Sequence, residues 1–233
     1  MRLGTRRGRG FGAALRAAAG RVRAGAGVVP RDGLDEAAAD AVFGEALDVD
    51  WGGLQHAYGP ADDVPEQLWA IVVGDEEARD AAWWELWANV HHEGVVHEAA
   101  VPCIPVLARI ARWKAHPDRV EALRLLRELA ALREVAAADD EAAAAIAAGV
   151  RAAVDEHVAG LADTWATEPP EVRRAQLWLL TVLPWARFSH AELIGAVLPG
   201  EHRPAWELVV AGAPLDADGL AAVEALERWV AEG

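Results

Sequence analysis

The chain has 233 residues, 53% hydrophobic and 25% charged, a balance that suits a packed core and excludes a disordered chain. Its formal net charge of −15 is unevenly placed: residues 1–31 carry eight arginines and no acid, and the rest holds 14 basic and 37 acidic side chains, a net of −23. So acidic a body repels phosphate backbones, which counts against nucleic-acid binding except through the first segment, and it favours basic protein surfaces.

Glycine-free stretches rich in Ala, Leu, Glu and Arg fill the middle of the chain. These are strong helix formers, and alternating β-branched runs are missing, so the fold class predicted is all-α. Cys103 is the only cysteine, which rules out an intramolecular disulfide and fits a reducing cytoplasm. Its place between Pro102 and Ile104 in an apolar run marks a buried, inert thiol. No 18 consecutive residues are apolar, so no membrane span is expected.

In chain order, residues 1–31 read as a basic Gly/Ala/Arg-rich flexible arm. Thr5-Arg6-Arg7 ahead of Phe11 begins like an export signal, but Arg16, Arg21 and Arg23 break the apolar region such a signal needs. A start codon set too far upstream is the alternative source of this segment. Residues 32–233 are expected to form one helical-repeat domain. A first helix is predicted over Leu34–Leu47. Asp63-Val64-Pro65-Glu66 supplies an N-cap, an early Pro and a capping-box Glu for a helix to Val73, closed by Gly74. Asp75 opens the next helix, and Gly94 ends that segment after His91-His92-Glu93. A helix over Val95–Trp113 carries Pro102 and Pro105, which should kink it. Asp118 caps a helix to Leu132, and Asp139-Asp140 opens an Ala-rich helix ending near Trp165. Glu168-Pro169-Pro170 precedes a helix over Glu171–Leu183. Ser189-His190-Ala191-Glu192 is a capping box for a short helix, and helices over Ala205–Ala211 and Asp218–Val230 finish the chain.

One helix of each pair repeats a pattern. Aligning Ala78-Arg79, Val120-Glu121 and Val172-Arg173 brings Ala81, Leu123 and Ala175 into register. It also matches Trp83-Trp84, Leu125-Leu126 and Leu177-Trp178, and then Trp87, Leu129 and Thr181. The amphipathic stripe recurs at about the period of helical-pair arrays.

Asp75-x-x-x-Arg79-x-x-Ala82-x-x-x-Leu86 and Val172-Arg173-x-Ala175 resemble the second helix of HEAT repeats, and Pro102 and Pro105 resemble the kinking prolines of a first helix. The stretch Trp51-x-x-Leu54-x-His56-Ala57-Tyr58-Gly59-Pro60, with Asp63-Val64-Pro65, Asn89-Val90-His91-His92 and Val96-His97-Glu98-Ala99, is similar to HEAT-repeat proteins of high-GC bacteria. The similarity is strongest over residues 48–135 and rests on the period beyond. Glu121 stands where the repeat has Arg, and the C-terminal third is irregular. The resemblance implies a right-handed HEAT-like α-solenoid of about four to five helix pairs, its second helices lining an inner face. It carries no shared reaction.

His91, His92, Glu93, His97 and Glu98 are the densest cluster of potential metal ligands, but the spacing argues against a site. His92 and His97 are five apart instead of the four of H-E-x-x-H, so on a helix their rings diverge by well over about 100°. A hydrogen-bonded corner between helices is expected instead, with no metal and no cofactor. The eleven tryptophans are the compositional outlier. Neighbouring Trp83 and Trp84 cannot face the same way, so one of them is expected at a groove, as an anchor for a partner. Trp69, Trp83, Trp84, Trp87, Asn89, His91, His92, Glu93 and His97 are the candidate partner-binding residues. Ser189 is the sole serine, and no nucleophile elbow or phosphate-binding Gly loop is present.

The reading these features favour is a non-catalytic protein-binding module for a basic partner, as adaptor or as inhibitor or immunity protein. The alternative is a helical-repeat DNA glycosylase acting on alkylated bases, which this chain resembles in architecture and Trp content but not in charge. The all-α reading is checked by far-UV circular dichroism: strongly helical spectra are expected, and more than about 10% β-sheet would overturn it, set against roughly 20–25% in ordinary domains.

Overall fold

Several helices here begin where a short acidic side chain stands beside backbone N–H groups that have no helical acceptor. In the computed structural model, Asp35 accepts from the Ala38 N–H at 3.1 Å, Asp75 from Ala78 at 3.0 Å and Asp139 from Ala142 at 2.8 Å. Each carboxylate satisfies an orphan donor and sits favourably at the positive end of the helix dipole. The structure describes residues 31–158, 161, 164, 165, 167–180, 182, 183, 200–211 and 216–232. The basic segment up to residue 30 and the capping box at Ser189 lie outside these.

Among the described residues are nine α-helices and five two-residue strands, so the chain is mostly helical. The helices are α1 (Glu36–Phe43), α2 (Val64–Val73), α3 (Glu76–Val90), α4 (Ala100–Arg112), α5 (Arg119–Ala131), α6 (Asp140–Val158), α7 (Pro170–Leu180), α8 (Arg203–Ala211) and α9 (Ala217–Glu232). The strands are β1 (Gln55–His56), β2 (Gly59–Pro60), β3 (His91–His92), β4 (Val95–Val96) and β5 (Glu134–Val135). The chain divides into two compact units, Met1–Glu93 with His97–Val106 and Gly94–Val96 with Leu107–Gly233.

In the first unit, α2 is buried on nearly every side, from Val64 through Leu68, Trp69, Ile71 and Val73. From Leu68 onward it is apolar all round because α1 and α3 both pack on it. Phe43 of α1 meets Trp69 edge-on, with ring centroids 5.1 Å apart. On α3 the buried residues Arg79, Ala82, Trp83, Leu86, Asn89 and Val90 follow the helical repeat. Between α1 and α2 the chain forms a 3-10 turn over Gly44–Asp48, a second over Trp51–Gly53, and the antiparallel hairpin β1–β2. The first predicted helix thus stops at Phe43 instead of Leu47.

The helix predicted from Val95 starts at Ala100. Glu93 and Gly94 take positive φ (51° and 89°), which no helix tolerates, and β-branched Val95-Val96 pair in parallel with Glu134-Val135 in the second unit. Pro102 consequently lies in the first turn of α4, where its missing N–H has no acceptor to lose, and Pro105 alone sits inside the helix. Cys103 is fully buried, its thiol donates to the Ala99 carbonyl at 3.2 Å, and burial pushes its ionisation far up.

In the second unit, α5 and α7, two of the helices that share the repeated stripe, pack on one another, with α6 against α5, α9 against α7, and α8 against α9. α6 ends at Val158, short of Trp165. Two arginines close corners between successive helices in the same manner. Arg79 donates to the Gly74 carbonyl at 3.0 Å after α2, and Arg119 donates to the Ala111 carbonyl at 2.8 Å near the end of α4. Glu121 stands at the position of α5 that aligns with Arg79, and Arg119, two residues earlier, makes the kind of carbonyl contact that Arg79 makes on α3.

Arg119 also faces Glu168 at 2.7 Å, the two side chains 6% and 1% exposed. Burial alone would push the Glu168 carboxyl up. The Thr164 hydroxyl, Arg119 and Lys114 outweigh it and hold Glu168 below its ordinary value. A carboxyl depressed in the fold stabilises it above the unfolded value, and that contribution disappears as pH falls through the lower folded value. Glu168→Gln is therefore expected to cost on the order of 3 kcal/mol at neutral pH, by leaving Arg119 buried and uncompensated. Urea melts at pH 7 and below pH of about 4 would check this, the gap between variant and wild type narrowing in acid.

Candidate functional site

Two features of the first unit bring candidate residues together: a polar corner around Asp63 and the outward face of α3. Asp63 holds the N-cap position of α2, yet its side chain makes no cap bond. Its Oδ1 lies 3.0 Å from His56 Nε2, while Oδ2 accepts from Gln67 Nε2 at 3.0 Å and Asn89 Nδ2 at 3.2 Å. The expected capping box is thus replaced by a tie between β1, α2 and α3. Two facts allow this: His56, Gln67 and Asn89 are buried donors that would be costly without an acceptor, and the Glu66 N–H is already satisfied by the Asp63 carbonyl at 3.0 Å.

The tautomer of His56 follows from its neighbours. The Tyr58 N–H donates to Nδ1 at 3.0 Å, so Nδ1 carries the lone pair and Nε2–H points at Asp63. Both ring nitrogens are engaged, which suits a structural brace. Exposed Tyr58 places its hydroxyl 3.3 Å from His92 Nδ1, with the rings edge-on at 5.3 Å.

Of the residues predicted as a partner-binding set, Asn89 is buried and used twice, by its side chain on Asp63 and by its carbonyl, which accepts from the Ala57 N–H at 2.9 Å. His91 ends α3 with its ring 5.8 Å from that of Trp87, edge-on. Glu93 is exposed at the turn. His97 is half-buried, and its backbone N–H reaches the Val90 carbonyl at 3.1 Å. Its imidazole is pushed below its ordinary value by burial first, then by His92, His56 and His91. Among the described residues no three His, Cys, Asp or Glu side chains converge as metal ligands.

The tryptophans separate clearly. Trp69 is 1% and Trp83 6% exposed, so both belong to the core and not to a binding face, whereas Trp84 is 79% exposed. Neighbours on a helix are rotated by about 100°, and Trp83 follows the buried stripe. Trp87 is half-buried beside His91. Around Trp84 the exposed positions of α3 are Glu76, Glu77, Asp80, Ala81 and Glu85. Glu77, Asp80 and Trp84 fall on successive turns of one side, the first two of these positions being acidic. This outward face is an aromatic plane set among carboxylates, suited to a cation.

Asp63, His56 and Gln67 were missing from the predicted set. The signal for Gln67 is an amide directly before the apolar run Leu68–Val73, four residues after an acid, the spacing at which side chains meet on a helix. No protein-family model, curated protein or solved structure matches this chain.

Two outcomes test the corner. If Asp63 merely capped α2, Asp63→Ser would be nearly neutral; as a tie it should lose about 1–2 kcal/mol in chemical denaturation, because Ser reaches no more than one of the three donors. For His97, a folded value below the unfolded one means stability is full above about pH 6.5 and is lost as pH falls through the folded value. Melting temperatures between pH 7.5 and 5 should fall less steeply in His97→Gln than in the wild type; equal slopes would remove His97 from the account.

Proposed function

We propose that the chain is a non-catalytic, HEAT-like helical-repeat binding protein whose α3 face takes a basic protein surface. The observation that carries this is Trp84, a large apolar side chain left 79% exposed on a helix whose other exposed positions are mainly acidic. A ring of roughly 150–250 Å², at about 25 cal/mol per Å², forgoes several kcal/mol by standing in water. An Arg or Lys stacked on it recovers that area and gains the cation–π attraction, while Glu77 and Asp80 hold its charge. The repeat reading is supported by α5 and α7, which share the stripe and pack together, and by the Arg79 and Arg119 corner ties. In this reading the pairs continue into a solenoid, with second helices such as α3 presenting the binding face.

The role is that of an adaptor or an inhibitor of a basic protein, in a reducing cytoplasm that suits a lone buried thiol. Among the described residues no helix is long and apolar enough to cross a membrane.

Isothermal titration of the full chain with a synthetic Arg/Lys-rich peptide tests this. Binding is expected to weaken steeply as salt rises past physiological strength, where screening sets in over about 8 Å. Trp84→Ala should cost about 2 kcal/mol, roughly 30-fold in affinity. Binding indifferent to both, or excision of an alkylated base from duplex DNA by the full chain, would overturn the proposal.

A further inference from the structure

The N-terminal segment supplies a ligand of this chemistry within the chain itself. Residues 1–30 hold Arg2, Arg6, Arg7, Arg9, Arg16, Arg21 and Arg23 and no acidic side chain. The residue that follows this segment, Arg31, has a defined place. The Arg31 N–H donates to the Val73 carbonyl at 2.8 Å, and the Arg31 guanidinium donates to the Val72 carbonyl at 2.9 Å. These carbonyls belong to the last turn of α2, which has no intrahelical donors left and attracts cations. Asp75, the cap of α3, follows Val73 by two residues, and Glu76 and Glu77 form the first turn of α3. Arg31, the residue to which the arginine-rich segment is attached, therefore sits near the acidic end of the helix that presents Trp84.

We propose that residues 1–30 dock in cis on the outer face of α3, an arginine covering Trp84, so that the segment is a built-in competitor for the basic partner. This rests on the reading of that face as a cation-binding surface and goes beyond it by naming its first occupant. Length permits the docking. Trp84 lies about 12 Å along the axis from Glu76, while thirty residues reach up to about 100 Å. Tethering strengthens it: an attached ligand works at an effective concentration in the millimolar range, so individually weak arginine contacts still fill the face. A partner then binds by displacing the segment, and its apparent affinity is lowered by the fraction of time the face is covered.

The test uses the full chain with isotope-labelled tryptophan and a nitroxide on Ala13→Cys, Cys103 being buried. The Trp84 indole signal is assigned by its loss in Trp84→Phe. Broadening of the Trp84 signal at low salt is expected, with recovery at about 1 M salt, where the Debye length is about 3 Å. It should also recover at low salt in Glu76→Gln/Glu77→Gln/Asp80→Asn. A Trp84 signal equally sharp with and without the nitroxide overturns the proposal. So does broadening that survives both treatments. Mixing nitroxide-bearing chains with unlabelled-arm, isotope-labelled chains separates cis from trans: a sharp signal supports docking in cis, and a broadened one overturns it in favour of a second copy.

As a functional readout, replacing the seven arginines by Gln should tighten binding of the Arg/Lys-rich peptide about tenfold, by removing the competitor. If the peptide binds through Trp84 while the nitroxide leaves Trp84 untouched, the cis docking fails and the reading of the face stands. If the peptide fails to bind even to the chain lacking the seven arginines, both fall.

Discussion

Three buried donors, on His56, Gln67 and Asn89, converge on the carboxylate of Asp63, and the geometry of the first unit depends on that convergence. Each donor belongs to a different element: β1, the interior of α2 and the last turn of α3. A single acceptor group therefore fixes where the hairpin lies against the helix pair and how far α3 is turned about its own axis. Apolar packing alone would leave that rotation loosely set, because a buried surface of Ala, Leu and Val is tolerant of small shifts. A hydrogen bond from Asn89 is not tolerant, since a rotation of one residue step would carry the amide about 100° away. The same constraint decides which tryptophan faces water: Asn89 lies six residues after Trp83, inside the stripe that contains Leu86, and holding it inward holds Trp84 outward.

The second unit uses a different means to the same end. Arg119 bridges the Ala111 carbonyl and the Glu168 carboxylate, joining the corner before α5 to the segment that leads into α7. A buried ion pair adds little net stability over a well-packed apolar replacement, but it is intolerant of misalignment. Arg127, stacked 4.7 Å over the Trp178 ring, adds a second directional contact between α5 and α7. Helices that share one apolar stripe could pack in several registers, and these charged contacts select one.

Much of the helical plan was legible in the chain because its signals are local. Asp75 and Asp139 precede apolar-periodic runs and accept the cap bond their positions imply, whereas the expected cap Asp118 makes no side-chain cap bond and Asp35 caps a helix expected to begin at Leu34. Asp63 carries the same local signal, and there the local reading fails. The cap lost to donors from residues 7 positions before and 26 positions after it, and nothing in a window around Asp63 reports those partners. Val95–Ala99 failed for a related reason. Its apolar content suits a helix, but Glu93 and Gly94 turn the chain and a distant strand, Glu134–Val135, takes Val95 and Val96 as partners. The candidate site was legible as a region, since the tryptophan helix and the histidine corner were both singled out. Its inward and outward members were not, because α3 carries apolar side chains on both sides: Ala81 and Trp84 outside, Ala82, Trp83 and Leu86 within.

That same duplication bears on why the exposed ring matters. A helix needing only to bury one stripe would carry a polar residue at position 84, since exposure of a Trp confers no gain in folding and raises the hazard of association. The surrounding Glu76, Glu77, Asp80 and Glu85 offset that hazard. They keep acidic copies of this face apart by repulsion while leaving the ring open to cations. In the proposed reading, an apolar ring guarded by carboxylates would reject acidic surfaces and admit basic ones, so specificity would come as much from what the acids repel as from what the indole attracts.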